Sequence, residues 1–206
     1  MKLLFAHGWG FDRTFWTPLA DLLSDLPVEI DDRGYFGRPR ALTVEGPCLA
    51  ITHSFGTMRV LTDPPEDLVG VLAINGFERF SARPGHPGVP VRVLDRMLRR
   101  FGEDPRAVLA EFRRQCGADA DFGEIDAPLL HGDLVRLRDE EAPTSSVPIV
   151  SLQAANDPLL PDAMRTQTFR NASVRRIECA TGSHLLPLEA PEFCAQAVRE
   201  TIEALA

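Results

Sequence analysis

The stretch Leu49-Ala50-Ile51-Thr52-His53-Ser54-Phe55-Gly56 runs from a short apolar segment directly into a serine that is followed, two residues later, by glycine. A continuous apolar run of this length fits a buried parallel strand, and the residues after Ser54 begin a short helix. The serine therefore falls on the turn that joins strand to helix, where a strained backbone lifts a hydroxyl above the end of a sheet. The spacing is G-x-S-x-G with Thr52 in place of the first glycine. A β-branched residue there brings bulk to a position where glycine has none. The alternative for Ser54 taken alone is a serine that caps a helix N-terminus.

On either side of this turn, short apolar runs recur at residues 3–6, 28–30, 48–51, 68–74, 147–152 and 173–179. Each reads as a strand, and most are continuous rather than alternating, as expected of parallel strands covered on both faces. Helical segments fall between them. The first is predicted at 13–24, where Phe15, Trp16, Leu19, Leu22 and Leu23 approximate one face and Asp12 can cap. The last is predicted at 191–205, opened by Pro191. Alternating β and α segments give an α/β fold with a mostly parallel, doubly wound sheet.

Residues 80–88 change character, with Ser, Pro and Gly crowding together, and read as a linker out of the sheet. Two helices follow. Leu94, Met97, Leu98 and Phe101 share one face of the first while Arg92, Arg96, Arg99 and Arg100 share another. In the second, Asp104 can cap, Pro105 can open the helix, Leu109, Phe112 and Cys116 lie inward, and Arg106, Arg113 and Arg114 are available outside. A third helical stretch at 127–138 returns the chain to the sheet. An insertion between two strands of an open sheet is expected to cover their carboxyl ends, where such folds bind ligands. The expected organisation is a core at 1–78 and 141–206, with a helical cap at 79–140.

The 206 residues, 44% of them hydrophobic and 25% charged, are sufficient for one domain with a sizeable core, which excludes disordered and fibrous classes. The net charge of −8 argues against nucleic-acid binding. Residues 79–114 nevertheless hold nine arginines against four acids, a net +5 that leaves −13 on the rest of the chain. A basic patch on an acidic body suggests an acidic partner; the alternative is a solvated helix surface. Cys48, Cys116, Cys179 and Cys194 have no CxxC pairing and sit in or beside apolar runs, which suits buried thiols in a reducing cytoplasm. The N-terminus lacks the apolar length of a signal peptide, and no segment reads as membrane-spanning.

Two further segments bear on Ser54. Asp157 follows the run at 147–152 and His184 follows the run at 173–179, so serine, acid and histidine appear in that chain order at strand ends. A serine hydroxyl is a weak nucleophile until a base takes its proton, and an acid must fix the tautomer of that base. Ser54, His184 and Asp157 are the candidate triad, with Asp162 as the alternative acid. Taken singly, Asp157 is a turn residue before Pro158 and His184 is a loop histidine. His7-Gly8-Trp9-Gly10 follows the first strand, and the backbone N–H groups of Trp9 and Phe55 are the candidate oxyanion hole. His7 is expected to orient this loop as a buried histidine. The five histidines show no ligand spacing, so neither a metal nor an organic cofactor is expected.

The His7-Gly8-Trp9-Gly10 loop, the segment Asp31-Asp32-Arg33-Gly34-Tyr35-Phe36-Gly37-Arg38, the His-Ser-Phe-Gly turn, Asn156-Asp157-Pro158 and Gly182-Ser183-His184 together resemble the α/β-hydrolase superfamily over essentially the full length. Within it, Phe80-Ser81-Ala82-Arg83, Pro87-Gly88-Val89 and Val93-Leu94 are similar to the start of the cap in the pimeloyl-carrier-protein methyl ester esterases of biotin synthesis. His184-Leu185-Leu186-Pro187 and Pro191-Glu192-Phe193-Cys194 are similar to the same group. That resemblance implies a carboxylesterase that cleaves the methyl ester of a pimeloyl chain on acyl carrier protein. It also implies that cap arginines hold the acidic carrier, which transfers here as a patch made of Arg92, Arg96, Arg99, Arg100, Arg106, Arg113 and Arg114. The chain departs from that group at Thr52, in the roughly ten residues between Gly37 and the next strand, and in a cap shorter than four helices, so a trimmed core is expected.

Two other readings remain open on the sequence. One is a generic small-ester carboxylesterase or thioesterase whose arginines are only a solvated face; the other is a non-catalytic binder that keeps the pocket without turnover. A cytoplasmic monomer, contacting neither membrane nor nucleic acid, is expected in the first reading.

Overall fold

The computed structural model describes residues 1–40, 45–119, 121–170 and 172–205. Its strands are β1 (Lys2–Ala6), β2 (Val28–Ile30), β3 (Cys48–His53), β4 (Leu68–Ile74), β5 (Ile149–Ala154) and β6 (Val174–Cys179). They form one sheet in the order β2-β1-β3-β4-β5-β6, parallel at every pairing. β3 and β5 are buried along their whole length, which explains why apolar and small residues dominate them, His53 and Gln153 being the exceptions. The edges are blunted: β2 has three residues, and β6 presents Arg175, Arg176 and Glu178 to solvent.

Helices cover both faces. One face carries α1 (Thr17–Leu22), α7 (Leu186–Glu189) and α8 (Pro191–Leu205), where Trp16, Leu19, Leu23 and Val198 pack on Phe5, Ile51, Leu72 and Leu152. Val60 and Leu61 of α2 (Phe55–Thr62) pack with Ala50, Val71 and Ala73 in a separate cluster. α3 (Val91–Glu103), α4 (Pro105–Cys116), α5 (Ala127–Asp139) and α6 (Asp162–Gln167) enclose a third cluster with Trp9, Tyr35 and Phe77, from the loops at the carboxyl ends of the strands, and Phe55, the first residue of α2. Three of the four helices that cover this end of the sheet come from the segment between β4 and β5, and α6 follows β5.

Several details differ from the sequence expectation. The segment at 13–24 divides into a 3-10 turn (Arg13–Trp16), capped by Asp12 through Thr14 N, and then α1. Pro18 has no N–H for the Thr14 carbonyl, so a continuous α-helix cannot form there. β5 starts and ends two residues later than expected, and β3 extends to His53. Residues 80–88 are not a linker: Val89 N donates to Phe80 O (2.8 Å), Ala82 N to Val89 O (2.9 Å), and Ser81 is buried with its hydroxyl on Arg138 O (2.6 Å). Closing its own backbone hydrogen bonds makes this Pro/Gly-rich stretch a fixed neck for the cap. α6 and α7, with six and four residues, are too short to leave a helical period in the sequence. All four cysteines are buried free thiols. Among the described residues no helix is long and apolar enough to cross a membrane.

Candidate active site

Ser54 sits between β3 and α2 with φ 53° and ψ −125°, a left-handed backbone that a non-glycine residue adopts only under constraint. The constraint is visible on both sides. Ser54 N donates to Ile74 O at the end of β4 (3.1 Å), and α2 starts with no room for a turn. A Cβ on Gly56 would lie 2.2 Å from Ala6 O, so only glycine lets α2 rest on β1. Thr52 is tolerated because its side chain is not idle: its hydroxyl meets that of Thr57 at 2.8 Å, tying strand to helix.

His184 follows β6 and is almost fully buried, with Nδ1 2.7 Å from Asp157 Oδ2. The other carboxylate oxygen accepts from Leu159 N (2.8 Å) and Leu160 N (3.2 Å), which fixes the acid in the turn after β5. With Nδ1 donating to the carboxylate, Nε2 is the nitrogen left for a reacting group, and it is buried with no hydrogen-bond partner among the described residues. Asp162 is elsewhere: its side chain is 91% exposed and pairs with Arg165. It does not serve His184.

Two residues that the sequence did not single out hold the histidine. His53 Nε2 donates to His184 O (2.9 Å), and Asn75 Nδ2 donates to the same oxygen (3.0 Å) and to Ser183 O (2.9 Å). Asn75, just past β4 at φ 46°, also accepts from Ala154 N (2.8 Å), so one side chain joins β4, β5 and the histidine loop. Burial holds the His53 imidazole well below its usual value, and the neighbouring His184 acts the same way. The available signals are His53 beside the nucleophile and an Asn-Gly pair at a strand end, where asparagine tolerates positive φ.

The loop after β1 crosses close above Ser54: a Cβ on Gly8 would lie 3.0 Å from Ser54 Cβ and 2.9 Å from His53 Nδ1. His7 orients this loop, donating from Nδ1 to Gly8 O (2.9 Å) and accepting at Nε2 from Arg33 N (3.0 Å), which sets its tautomer. The N–H of Phe55 is the first of α2 and has no intrahelical partner. Trp9 anchors its indole on α5 through Nε1 to Leu130 O (2.8 Å). A cavity of about 20 Å³, room for about one water, adjoins Ser54 and is lined chiefly by Trp9, Phe77, Leu94, Met97 and Phe112.

The cap is fastened over this cavity. Asp133 of α5 is 1% exposed and receives Arg33 Nε (2.7 Å), Arg33 Nη2 (2.9 Å) and Tyr35 OH (2.7 Å). Burial pushes its pKa up, but the Arg33 and Tyr35 hydrogen bonds prevail and hold it below the ordinary aspartate value. The arginines divide. Arg92, Arg96, Arg99 and Arg114 are exposed. Arg100 pairs with Glu111 (2.6 Å), and Arg106 donates to Gly123 O (2.7 Å) and Phe122 O (3.1 Å). Arg113 corrects the sequence expectation of an outward residue: it is half-buried, donates to Gly10 O (2.8 Å) and lies 4.8 Å over the Phe11 ring. A guanidinium stacked on an aromatic and bonded to a core carbonyl fastens α4 to the loop after β1.

The chain is similar to the biotin biosynthesis bifunctional protein BioHC of Cellvibrio japonicus, with 30% identity over 129 residues. The match covers 53% of this chain, which spans about a quarter (26%) of that relative's length. No family model matches the chain. Among solved structures it is similar to an esterase from Exiguobacterium antarcticum (TM-score 0.81, 15% identity, 98% of this chain and 92% of that one). It is also similar to an enol-lactonase from Burkholderia xenovorans (TM-score 0.76, 14% identity, 98% and 91%). The chain has the α/β-hydrolase fold.

Proposed function

We propose that this protein is a serine carboxylesterase acting through an acyl-enzyme on Ser54. The observation that carries the reading is the buried Asp157–His184 hydrogen bond, which leaves Nε2 free, in a fold that also holds Ser54 at positive φ on a strand-to-helix turn. Ser54 Oγ attacks the ester carbonyl as His184 Nε2 takes its proton, while Asp157 keeps Nδ1 protonated and stabilises the imidazolium. The N–H groups of Trp9 and Phe55 face the developing oxyanion, each donor being worth about 10²–10³ in rate. Collapse expels the alcohol with the proton from His184. Water then attacks the acyl-serine with the same histidine as base, and the acid is released.

The substrate proposed is the methyl ester of a pimeloyl chain carried on acyl carrier protein, cleaved to methanol and the free carboxylate. Its supports are the motif resemblance, a relative named for biotin biosynthesis, and a cap whose outer face presents Arg92, Arg96, Arg99 and Arg114 to an acidic partner. One observation favours a second reading, a small-ester esterase whose cap arginines are only a solvated face: Arg100 already pairs with Glu111, and Arg106 is already bonded to backbone carbonyls.

The test begins with a fluorophosphonate probe, which labels wild type and not Ser54→Ala; an unlabelled wild type would sink the esterase reading. Methanol release from the carrier-bound pimeloyl ester is then measured at low and high salt beside p-nitrophenyl acetate. Fast cleavage that weakens with salt supports the carrier substrate. Turnover of the acetate alone selects the second reading.

A further inference from the structure

A groove of about 290 Å³ runs between α3 and α4 on the outer face of the cap. Val93 and Val108 give it apolar walls, and Arg96, Arg100 and Glu111 lie along it. Met97 and Phe112 line both this groove and the cavity at Ser54, so these two side chains form a wall that the two spaces share. We propose that the α3–α4 seam is the entrance by which the acyl chain of the ester reaches Ser54, that Met97 is its gate, and that its rim selects chains whose far end carries an anion. This rests on the esterase reading above.

The closed cavity, at about 20 Å³, cannot hold an acyl chain, so some element must move. The α5 side is fastened by Asp133 to Arg33 and Tyr35 and by Leu130 to the Trp9 indole. The end of α4 is fastened by Arg113 to Gly10 O. Phe112 is held edge-on by the Trp9 ring, with centroids 4.8 Å apart. Met97 is half-buried and unbranched, and its rotatable side chain can swing without backbone movement. Methylenes suit the walls. At the rim, Glu111 already pairs with Arg100, in the position an incoming anion would take. That pair is exposed and weak, so a ligand anion replaces it at little cost.

The probes are p-nitrophenyl esters of straight-chain acids from two to ten carbons, and p-nitrophenyl half-esters of the seven- to ten-carbon dicarboxylic acids. Met97→Trp is expected to lower kcat/KM for the ten-carbon ester at least tenfold more than for acetate, and Met97→Ala to shift that ratio the other way. Wild type is expected to prefer half-esters over equally long neutral esters, less so at high salt, and Arg96→Glu/Arg100→Glu to abolish the preference. Equal losses at all chain lengths in Met97→Trp overturn the gate, and a preference that survives the double reversal overturns the rim. Ser54 labelled by the fluorophosphonate with turnover blind to Met97 defeats the seam and leaves the esterase standing. No labelling and no turnover defeat the esterase reading itself. Calorimetric titration of nonanedioate then still reads the seam, since equal binding by wild type and Met97→Trp overturns it.

Discussion

His53 Nε2 lies 2.9 Å from the carbonyl oxygen of His184 and donates to it, so the residue before the candidate nucleophile holds the backbone of the candidate base. The bond requires a protonated Nε2, and the buried Nδ1 has no partner among the described residues, so the ring is neutral in the fold. In the unfolded chain it titrates near about 6.5. Below that pH the unfolded state binds one proton more than the folded state, and stability is lost as pH falls. We expect up to about 1.4 kcal/mol of stability lost per pH unit below about 6.5 from this group. Urea midpoints of wild type and His53→Gln between pH 7.5 and 5.5 measure it: the variant's curve is flatter by that amount.

Asp157→Asn is expected to lower kcat by about 10⁴ through the wrong tautomer of His184. Asp162→Asn, at an exposed position paired with Arg165, is expected to leave kcat within about twofold. Ester-hydrolysis kinetics of the two variants side by side check the assignment, and the reverse pattern would overturn it.

Gly56→Ala places a methyl 2.2 Å from Ala6 O, with backbone on both sides of the clash. A loss of roughly 3 kcal/mol or more is expected, read as a fall in urea midpoint. Gly102, in α3 with nothing within 4 Å of its missing Cβ, gives the opposite sign: Gly102→Ala is expected to gain about 0.5–1 kcal/mol.

Thr52→Gly restores the glycine common at this turn, yet it is expected to destabilise. The change removes the hydroxyl pair with Thr57 and a buried side chain and frees a strand residue, together about 2 kcal/mol. A midpoint at or above that of wild type would contradict the tie between β3 and α2.

What the sequence reveals follows from how local each feature is. The strands are legible as apolar runs because a doubly covered parallel sheet demands them, and Asp157 and His184 stand out as candidates because each comes soon after such a run. The contacts of His53 and Asn75 with His184 span 131 and 109 residues and exist only once β3 and β4 are in register, so no spacing encodes them. Asp133 looks like any charged residue on a helix until Arg33 and Tyr35 arrive from the other end of the chain. Arg113 is misread for the same reason: its partners Gly10 and Phe11 lie about a hundred residues away, so its inward course is a tertiary fact.

The Trp9 indole hangs on the Leu130 carbonyl, while the backbone of the same residue is the proposed oxyanion donor. The clamp at Asp133 reinforces that attachment from the neighbouring turn of α5. Lifting α5 would therefore carry away part of the machinery that stabilises the reaction's intermediate. On this arrangement a protein caught open at α5 is chemically silent rather than merely leaky: water admitted by that route meets a disassembled centre. Admission and competence are thereby assigned to different helices, α3 and α4 for the first and α5 for the second.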